Sequence, residues 1–194
     1  PIDAVAALYL GVPRPEGTPR LYRNKRDGTF EDVTIKAKLD RVLLAMGANF
    51  GDLDNDGFLD LYVGTGAPDL SALTPNRMFR NFNGTSFQDV TTSGGFGHLQ
   101  KGHGISFGDL DNDGDQDVYE VIGGWFTGDF YQNVLFENPG HANHWITICL
   151  EGTRSNRMGV GARLRVRVKT PRGARDIYLT VSTGGSFGDS TLQQ

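Results

Sequence analysis

What this 194-residue sequence lacks narrows its class. Its single cysteine, Cys149, has no partner for an intrachain disulfide. No apolar run reaches the length of about 18 residues that a membrane helix needs. There is no H-E-x-x-H, no G-x-S-x-G and no glycine loop ending in G-K-[ST]. The usual signs of a zinc protease, an α/β-hydrolase and a phosphate loop are therefore missing. Basic residues do not dominate: 19 Lys and Arg stand against 23 Asp and Glu, a net charge of -4. That balance speaks against nucleic acid as a partner. No signal peptide is visible, and because the chain starts at Pro1 the export route stays open.

Glycine, by contrast, is abundant. The 27 glycines are about twice the usual ~7% share. They follow no G-x-y period, so collagen is excluded, and they suit many tight turns between short strands. Acidic charge is concentrated as well. Residues 1–150 carry 20 acidic and 11 basic side chains, whereas residues 151–194 carry 3 and 8. Nine of the 20 acids sit in two windows, 52–60 and 109–117. Like charges packed that tightly call for a local counter-charge, and a bound cation is the simplest one.

An internal repeat accounts for the two windows. NFGDLDNDGFLDLYVG from Asn49 aligns with SFGDLDNDGDQDVYEV from Ser106, an offset of 57. LYRNKRDGTFEDVT from Leu21 aligns with MFRNFNGTSFQDVT from Met78 at the same offset, and LFEN at Leu135 lies another 57 on. Leu8-Tyr9-Leu10-Gly11 resembles Leu61-Tyr62-Val63-Gly64, so the first copy is expected to be partial, the second complete and the third cut short near residue 138. Each copy reads as four short strands, in the second copy 48–53, 58–63, 76–81 and 87–91, with Leu59, Leu61 and Val63 on one face at period two. Asn83-Gly84, and Asp27-Gly28 in the first copy, are hairpin turn pairs. Asn83-Gly84-Thr85 also matches a glycosylation acceptor, for which the turn is the simpler reason. Residues 36–46 have helical propensity, while their counterparts 93–103 do not, which favours a linker there. Four short strands per unit, repeated, predict propeller blades.

The windows read D-x-D-x-D-G-x-x-D. In such a loop a calcium ion takes carboxylates from positions 1, 3 and 5, a carbonyl from position 7 and a carboxylate from position 9, and glycine turns the chain at position 6. The predicted ligands are Asp52, Asp54, Asp56, the Phe58 carbonyl and Asp60 in one loop. In the other they are Asp109, Asp111, Asp113, the Asp115 carbonyl and Asp117. Gly57 and Gly114 are the turning glycines. Position 12 is Val63 or Glu120 within β-like flanks, so these are not EF-hands. Two Ca²⁺ would offset the net charge. Solvated aspartates in Asx turns are the plain alternative.

FGDLDNDGFLDLYVG with LYRNKRDGTFEDVT resembles the FG-GAP or VCBS-type calcium-binding repeat, which builds the β-propellers of integrin α-chains and many secreted bacterial proteins. The stretch NHWITICLEGTRSNRMGVGARLRVRVKT, Asn143 to Thr170, resembles the ASPIC/UnbV domain of the cartilage acidic protein-like group. The resemblance implies an all-β chain: a partial β-propeller of under three four-stranded blades in residues 1–140, then a small β-sheet or sandwich in residues 141–194. It further implies a piece of a larger protein, placed extracellularly, in the periplasm or at the cell surface. Open blade edges invite a homo-oligomer or coverage by the tail.

In the tail, the alternation from Trp145 to Leu150 predicts a strand with Cys149 as a buried, inert thiol. Residues 161–169 put Leu164, Val166 and Val168 on one face and Arg163, Arg165, Arg167 and Lys169 on the other; Ile177, Leu179 and Val181 predict another strand. The arginine row is read as a solvated face or a partner for the acidic repeats before an anion site. Trp125, Phe126, Phe130 and Tyr131 form a possible recognition patch for a protein or glycan ligand. No catalytic set converges, so the expectation is a calcium-stabilised structural or binding module without catalysis. The alternative is a hydrolase with a calcium-adjacent cleft near His103 and Asp129.

Overall fold

The structure is a computed structural model that describes residues 4–7, 18–66, 74–124, 127–170 and 173–182. It is all-β, with no helix among the described residues. β1 (Ala4–Ala7), β2 (Arg20–Asn24) and β3 (Phe30–Asp32) form one antiparallel sheet in chain order. β4 (Ala45–Gly51), β5 (Asp60–Thr65), β6 (Arg77–Phe82) and β7 (Ser86–Asp89) form the second. β8 (Gly102–Gly108), β9 (Asp117–Ile122) and β10 (Val134–Phe136) form the third, and β11 (Arg163–Thr170) and β12 (Gly173–Thr180) form a separate hairpin. The sheets do not close into a barrel.

The 57-residue period holds at the level of pairing. Leu61 faces Phe79 as Val118 faces Phe136, and Phe50 faces Leu61 as Phe107 faces Val118. Phe79 faces Asp89 as Tyr22 faces Asp32. Side-chain locks repeat too. Asp32 Oδ1 accepts the Thr34 amide at 3.0 Å and Asp89 Oδ1 the Thr91 amide at 3.1 Å. The Thr34 hydroxyl accepts the Leu21 amide, and the Thr91 hydroxyl the Met78 amide. Each D-V-T tripeptide thus pins the last strand of its sheet to the strand before it.

Differences from the sequence expectation have local causes. Residues 36–46 are not a helix, because Lys38 and Leu44 take φ of 62° and 47° and break the helical path. Instead the Ala37 amide bonds the Val33 carbonyl and the Leu39 amide the Thr34 carbonyl, and this turn inserts Ala37, Leu39 and Leu43 into the core. The counterpart does the same with Gly94 and Phe96. Asn83 and Gly84, with φ of 53° and 69°, turn the chain in the three-residue loop between Phe82 and its partner Ser86. The first copy does not repeat it: positive φ falls on Arg26 and Gly28, and the turn is longer. Leu59 lies before β5 and is half exposed, whereas all six residues of β5 are buried, so β5 is covered on both faces. Leu8–Gly11 lies outside the described residues, and the strand paired with β2 is Ala4–Ala7.

The middle sheet is the centre of the packing. One face meets the first sheet through Leu61, Val63, Phe79 and Phe87 against Leu21, Val33 and Leu39. The other face meets the third sheet through Tyr62 and Met78 against Ile105, Phe107 and Val118. The last two sheets approach backbone to backbone: a Cβ on Gly64 would lie 2.7 Å from the Gly102 carbonyl group. In the tail, residues 145–150 form no strand, and Cys149 is exposed rather than buried. The β11–β12 hairpin keeps the expected alternation, with Leu164 opposite Leu179 and Val166 opposite Ile177. It is two-stranded among the described residues, and Arg167 holds Asp176 across the strands at 2.7 and 3.0 Å.

Gly64→Ala is predicted to force these two sheets apart and to lower unfolding free energy by about 1–3 kcal/mol, the usual cost of overpacking. Gly28→Ala, where a Cβ meets nothing within 4 Å, is expected to cost only the ~1 kcal/mol of a strained φ. Urea denaturation of both variants checks this; equal midpoints would contradict the close approach.

Candidate metal centre

Because the repeats pair in one register, both acidic loops leave their sheets at the same end. Each connects the first strand of its sheet to the second, 52–59 between β4 and β5 and 109–116 between β8 and β9. Asn55 and Asn112, with φ of 52° and 64°, and Gly57 and Gly114, with 79° and 94°, turn the chain sharply. The first aspartate organises each turn. Asp52 accepts the amides of Asp56 and Gly57 at 3.0 and 2.8 Å. Asp109 accepts those of Asp113 and Gly114 at 3.0 and 2.9 Å.

This turning brings carboxylates together. One oxygen each of Asp52, Asp54 and Asp56 lies within 4.8 Å of the others, and the same holds for Asp109, Asp111 and Asp113. The position-9 aspartates are placed differently. The two oxygens of Asp60 accept the Leu53 amide at 2.8 Å and the Asn81 amide at 2.7 Å. Those of Asp117 accept the Leu110 and Asn138 amides, both at 2.9 Å. Asp60 therefore ties its loop to β6 and Asp117 ties its loop to the chain just beyond β10, and neither belongs to a triad. Asp115 accepts the Asn55 side-chain amide at 2.6 Å. Phe58 presents its ring to Arg175, 4.0 Å from the ring centre.

The two loops are unequal. Asp54 is 3% exposed, and its carboxylate oxygens receive no hydrogen bond, although Arg80 forms an ion pair with it. A buried carboxylate that accepts no hydrogen bond and is paired to a half-exposed guanidinium is under-satisfied, and a hard cation is a ligand its oxygens suit. Burial pushes the Asp52 carboxyl up to about 6 and that of Asp60 up to about 7, against the amides bonded to them. Burial raises Asp56 as well, with Asp54 adding to the effect. In the second loop Asp111 and Asp113 are exposed. The donor set is all oxygen in both, which fits calcium better than zinc.

Side chains beyond the predicted ligands complete the centre. The Asn55 side chain bonds the Gly114 carbonyl at 3.0 Å, Gln116 accepts the Asp52 amide at 2.8 Å and Asn138 donates to the Leu53 carbonyl at 2.7 Å. The first two link the loops to each other, and Asn138 ties the first loop to the chain beyond β10. Asn81 and Asn138 were legible as the asparagines of the repeated Phe-x-Asn; Arg80, Asn143, Trp145 and Arg175 carried no local signal. The other expected sites do not converge here. Asp129 accepts from Gln100 and Lys101, both at 2.8 Å, and His103 lies in β8. Phe130 and Tyr131 are exposed, the latter edge-on to His98 at 5.5 Å, while Trp125 and Phe126 lie outside the described residues.

Residues 3–63 match the family model of the FG-GAP-like repeat. The match covers the first acidic loop and ends inside β5. A search of curated proteins finds no match to the chain. No helix among the described residues is long and apolar enough to cross a membrane.

The raised carboxyls fix a pH dependence for the metal-free protein. A carboxylate whose pKa is higher folded than unfolded binds its proton more tightly in the folded state, so folding gains as pH falls from about 7 toward 4. Asp32 and Asp89 act oppositely. Burial pushes each up, but threonine hydrogen bonds and guanidinium charge outweigh it and hold both below the ordinary value. Their contribution is lost below about 4. Chelated protein is therefore expected to melt higher at pH 5 than at pH 8, and calcium-loaded protein to show the reverse, since the ion needs ionised ligands. Calorimetric melting at both pH values, with and without chelator, checks the crossing.

Proposed function

We propose that the chain is a calcium-stabilised structural or binding module without catalysis of its own, part of a larger exported protein. Two ions are expected, one on Asp52, Asp54 and Asp56 and one on Asp109, Asp111 and Asp113, with the Phe58 and Asp115 carbonyls completing the shells. Asp60 and Asp117 contribute by holding the loops in place. The observation that carries this reading is the buried Asp54 carboxylate, which accepts no hydrogen bond and has the half-exposed Arg80 guanidinium as its ion-pair partner, inside a loop that recurs 57 residues later. Outside the cell, calcium concentrations match the 10⁻⁴–10⁻³ M affinities of such modules, which supports placement at the cell surface, in the periplasm or beyond.

In this reading the three sheets are consecutive blades of a propeller, and the tail is an ASPIC/UnbV-like domain. Protein or glycan is the ligand class, and Phe130 and Tyr131 are the exposed candidates for contact. The outer blade faces support an assembly. Tyr62 and Met78 are fully buried against the third sheet, yet their counterparts there, Tyr119 and Leu135, are 39% and 50% exposed. Phe87 is buried, and its counterpart Phe30 in the first sheet is exposed. Both outer faces suit another sheet of the same repeat, from a second copy or from further chain.

Metal analysis of chelated and reloaded protein is expected to give two calcium ions per chain, and Asp111→Asn to remove one. Chelation should lower the melting temperature by several degrees, because at ~100 times Kd each site adds ~2.7 kcal/mol. Fewer than one ion at millimolar calcium would defeat the proposal. For the outer faces, sedimentation velocity at micromolar concentration should show a dimer or larger species, and Leu135→Glu should return a monomer. A compact monomer from the unaltered chain would contradict the docking of sheets.

A further inference from the structure

The loop glycines do more than turn the chain. A Cβ on Gly57 would overlap the Arg175 guanidinium and the Ile177 side chain of β12. A Cβ on Gly114 would overlap the indole of Trp145. Each glycine is therefore a seat, and a residue of the tail occupies it. The loop carbonyls are used in the same way. Arg175 donates to the Asp56 carbonyl and lies over Phe58, and Asn143 donates to the Asp54 carbonyl at 2.8 Å. Residue 143 also sits 57 beyond Ser86, which begins β7. Where the second copy adds a fourth strand, the third copy instead sends its chain across the acidic loops.

From these contacts we propose that the two acidic loops are the docking surface for the C-terminal segment, so that cation binding and tail docking are one coupled equilibrium. The proposal rests on the calcium reading above. Its physical basis is that the tail reads the folded shape of the loops rather than their charge. It grips two backbone carbonyls and two glycine surfaces that exist only when the loops are turned. Three carboxylates within 4.8 Å repel one another when no cation is bound, which opens the turn and misplaces the carbonyls of residues 54 and 56. A bound cation closes the turn, and a docked tail does likewise. Linkage requires the effect to be reciprocal. The segment that connects β10 to β11 makes little regular structure of its own, and the hairpin is two-stranded among the described residues, so neither holds its place without the loops.

The test uses the full chain with Ca²⁺ as probe. Hydrogen exchange is measured on calcium-loaded and chelated protein, and calcium affinity by titration calorimetry on Trp145→Ala and Arg175→Met. Trp145→Ala changes no charge, and Arg175→Met retains an apolar stem against Phe58. Loading is expected to slow exchange in residues 143–150 and 173–180 together with the loops. Trp145→Ala should weaken one of the two calcium sites about fivefold or more and leave the other within about twofold, and Arg175→Met should weaken the other. Two calcium ions bound with unchanged exchange in the tail would overturn the coupling alone. No calcium bound would overturn the reading beneath it. If either variant loses the slow-exchanging amides of β5, the exchange comparison on the unaltered chain decides.

Discussion

A β-sheet with two apolar faces must cover both, and that requirement organises this protein. The middle sheet carries Leu61, Val63 and Phe79 on one face and Tyr62 and Met78 on the other, because residues alternate along a strand. It is therefore held between two neighbours of the same kind. Stacking equal sheets in one register has a consequence for charge. Corresponding loops arrive side by side at the same end, so Asn55 of one reaches Gly114 and Asp115 of the next. Each loop also gathers one oxygen from each of three aspartates within 4.8 Å of the others, and the cost of that proximity is what a divalent cation would relieve.

The same stacking makes the two centres differ. The first loop lies inside the stack, with Asp54 buried, Arg80 paired to it and Arg175 over its aromatic neighbour. The second loop lies beside the third sheet, whose outer face is open, and its middle carboxylates meet solvent. The same D-x-D-x-D-G-x-x-D pattern therefore gives a desolvated, arginine-flanked candidate site and a hydrated one. The first has more to gain from a counter-charge, since burial penalises its charges most.

Much of this was legible in the sequence because a repeat reports its own geometry. The offset of 57 between Leu61 and Val118 reappears as the pairing of each with a phenylalanine, at Phe79 and Phe136. The roles of Asn83-Gly84 and of Gly57 and Gly114 followed from turn chemistry. Long-range and chain-specific contacts were not legible. Nothing near Asp60 announces that its carboxylate is taken by amides on either side of the loop, and period-two alternation in Trp145–Leu150 does not make a strand where no neighbouring strand offers hydrogen bonds. Arg175 reads as one more member of a basic tail. Its position over Phe58 depends on where the hairpin lies.

Charge opposition between the two halves of the sequence also proves coarser than the contacts that join them. The acidic residues 1–150 and the basic residues beyond them attract at long range, but the contacts are made to carbonyls, an aromatic ring and two glycines. The basic row on β11 is only partly spent, with Arg167 bound to Asp176 within the hairpin. Long-range attraction falls off over a Debye length of ~8 Å at physiological salt, so it brings the tail near the repeats without fixing its seat. The seat is fixed by shape. Only glycine leaves room at positions 57 and 114, and the residue type that lets each loop turn its three aspartates together is the one that lets the tail lie against it.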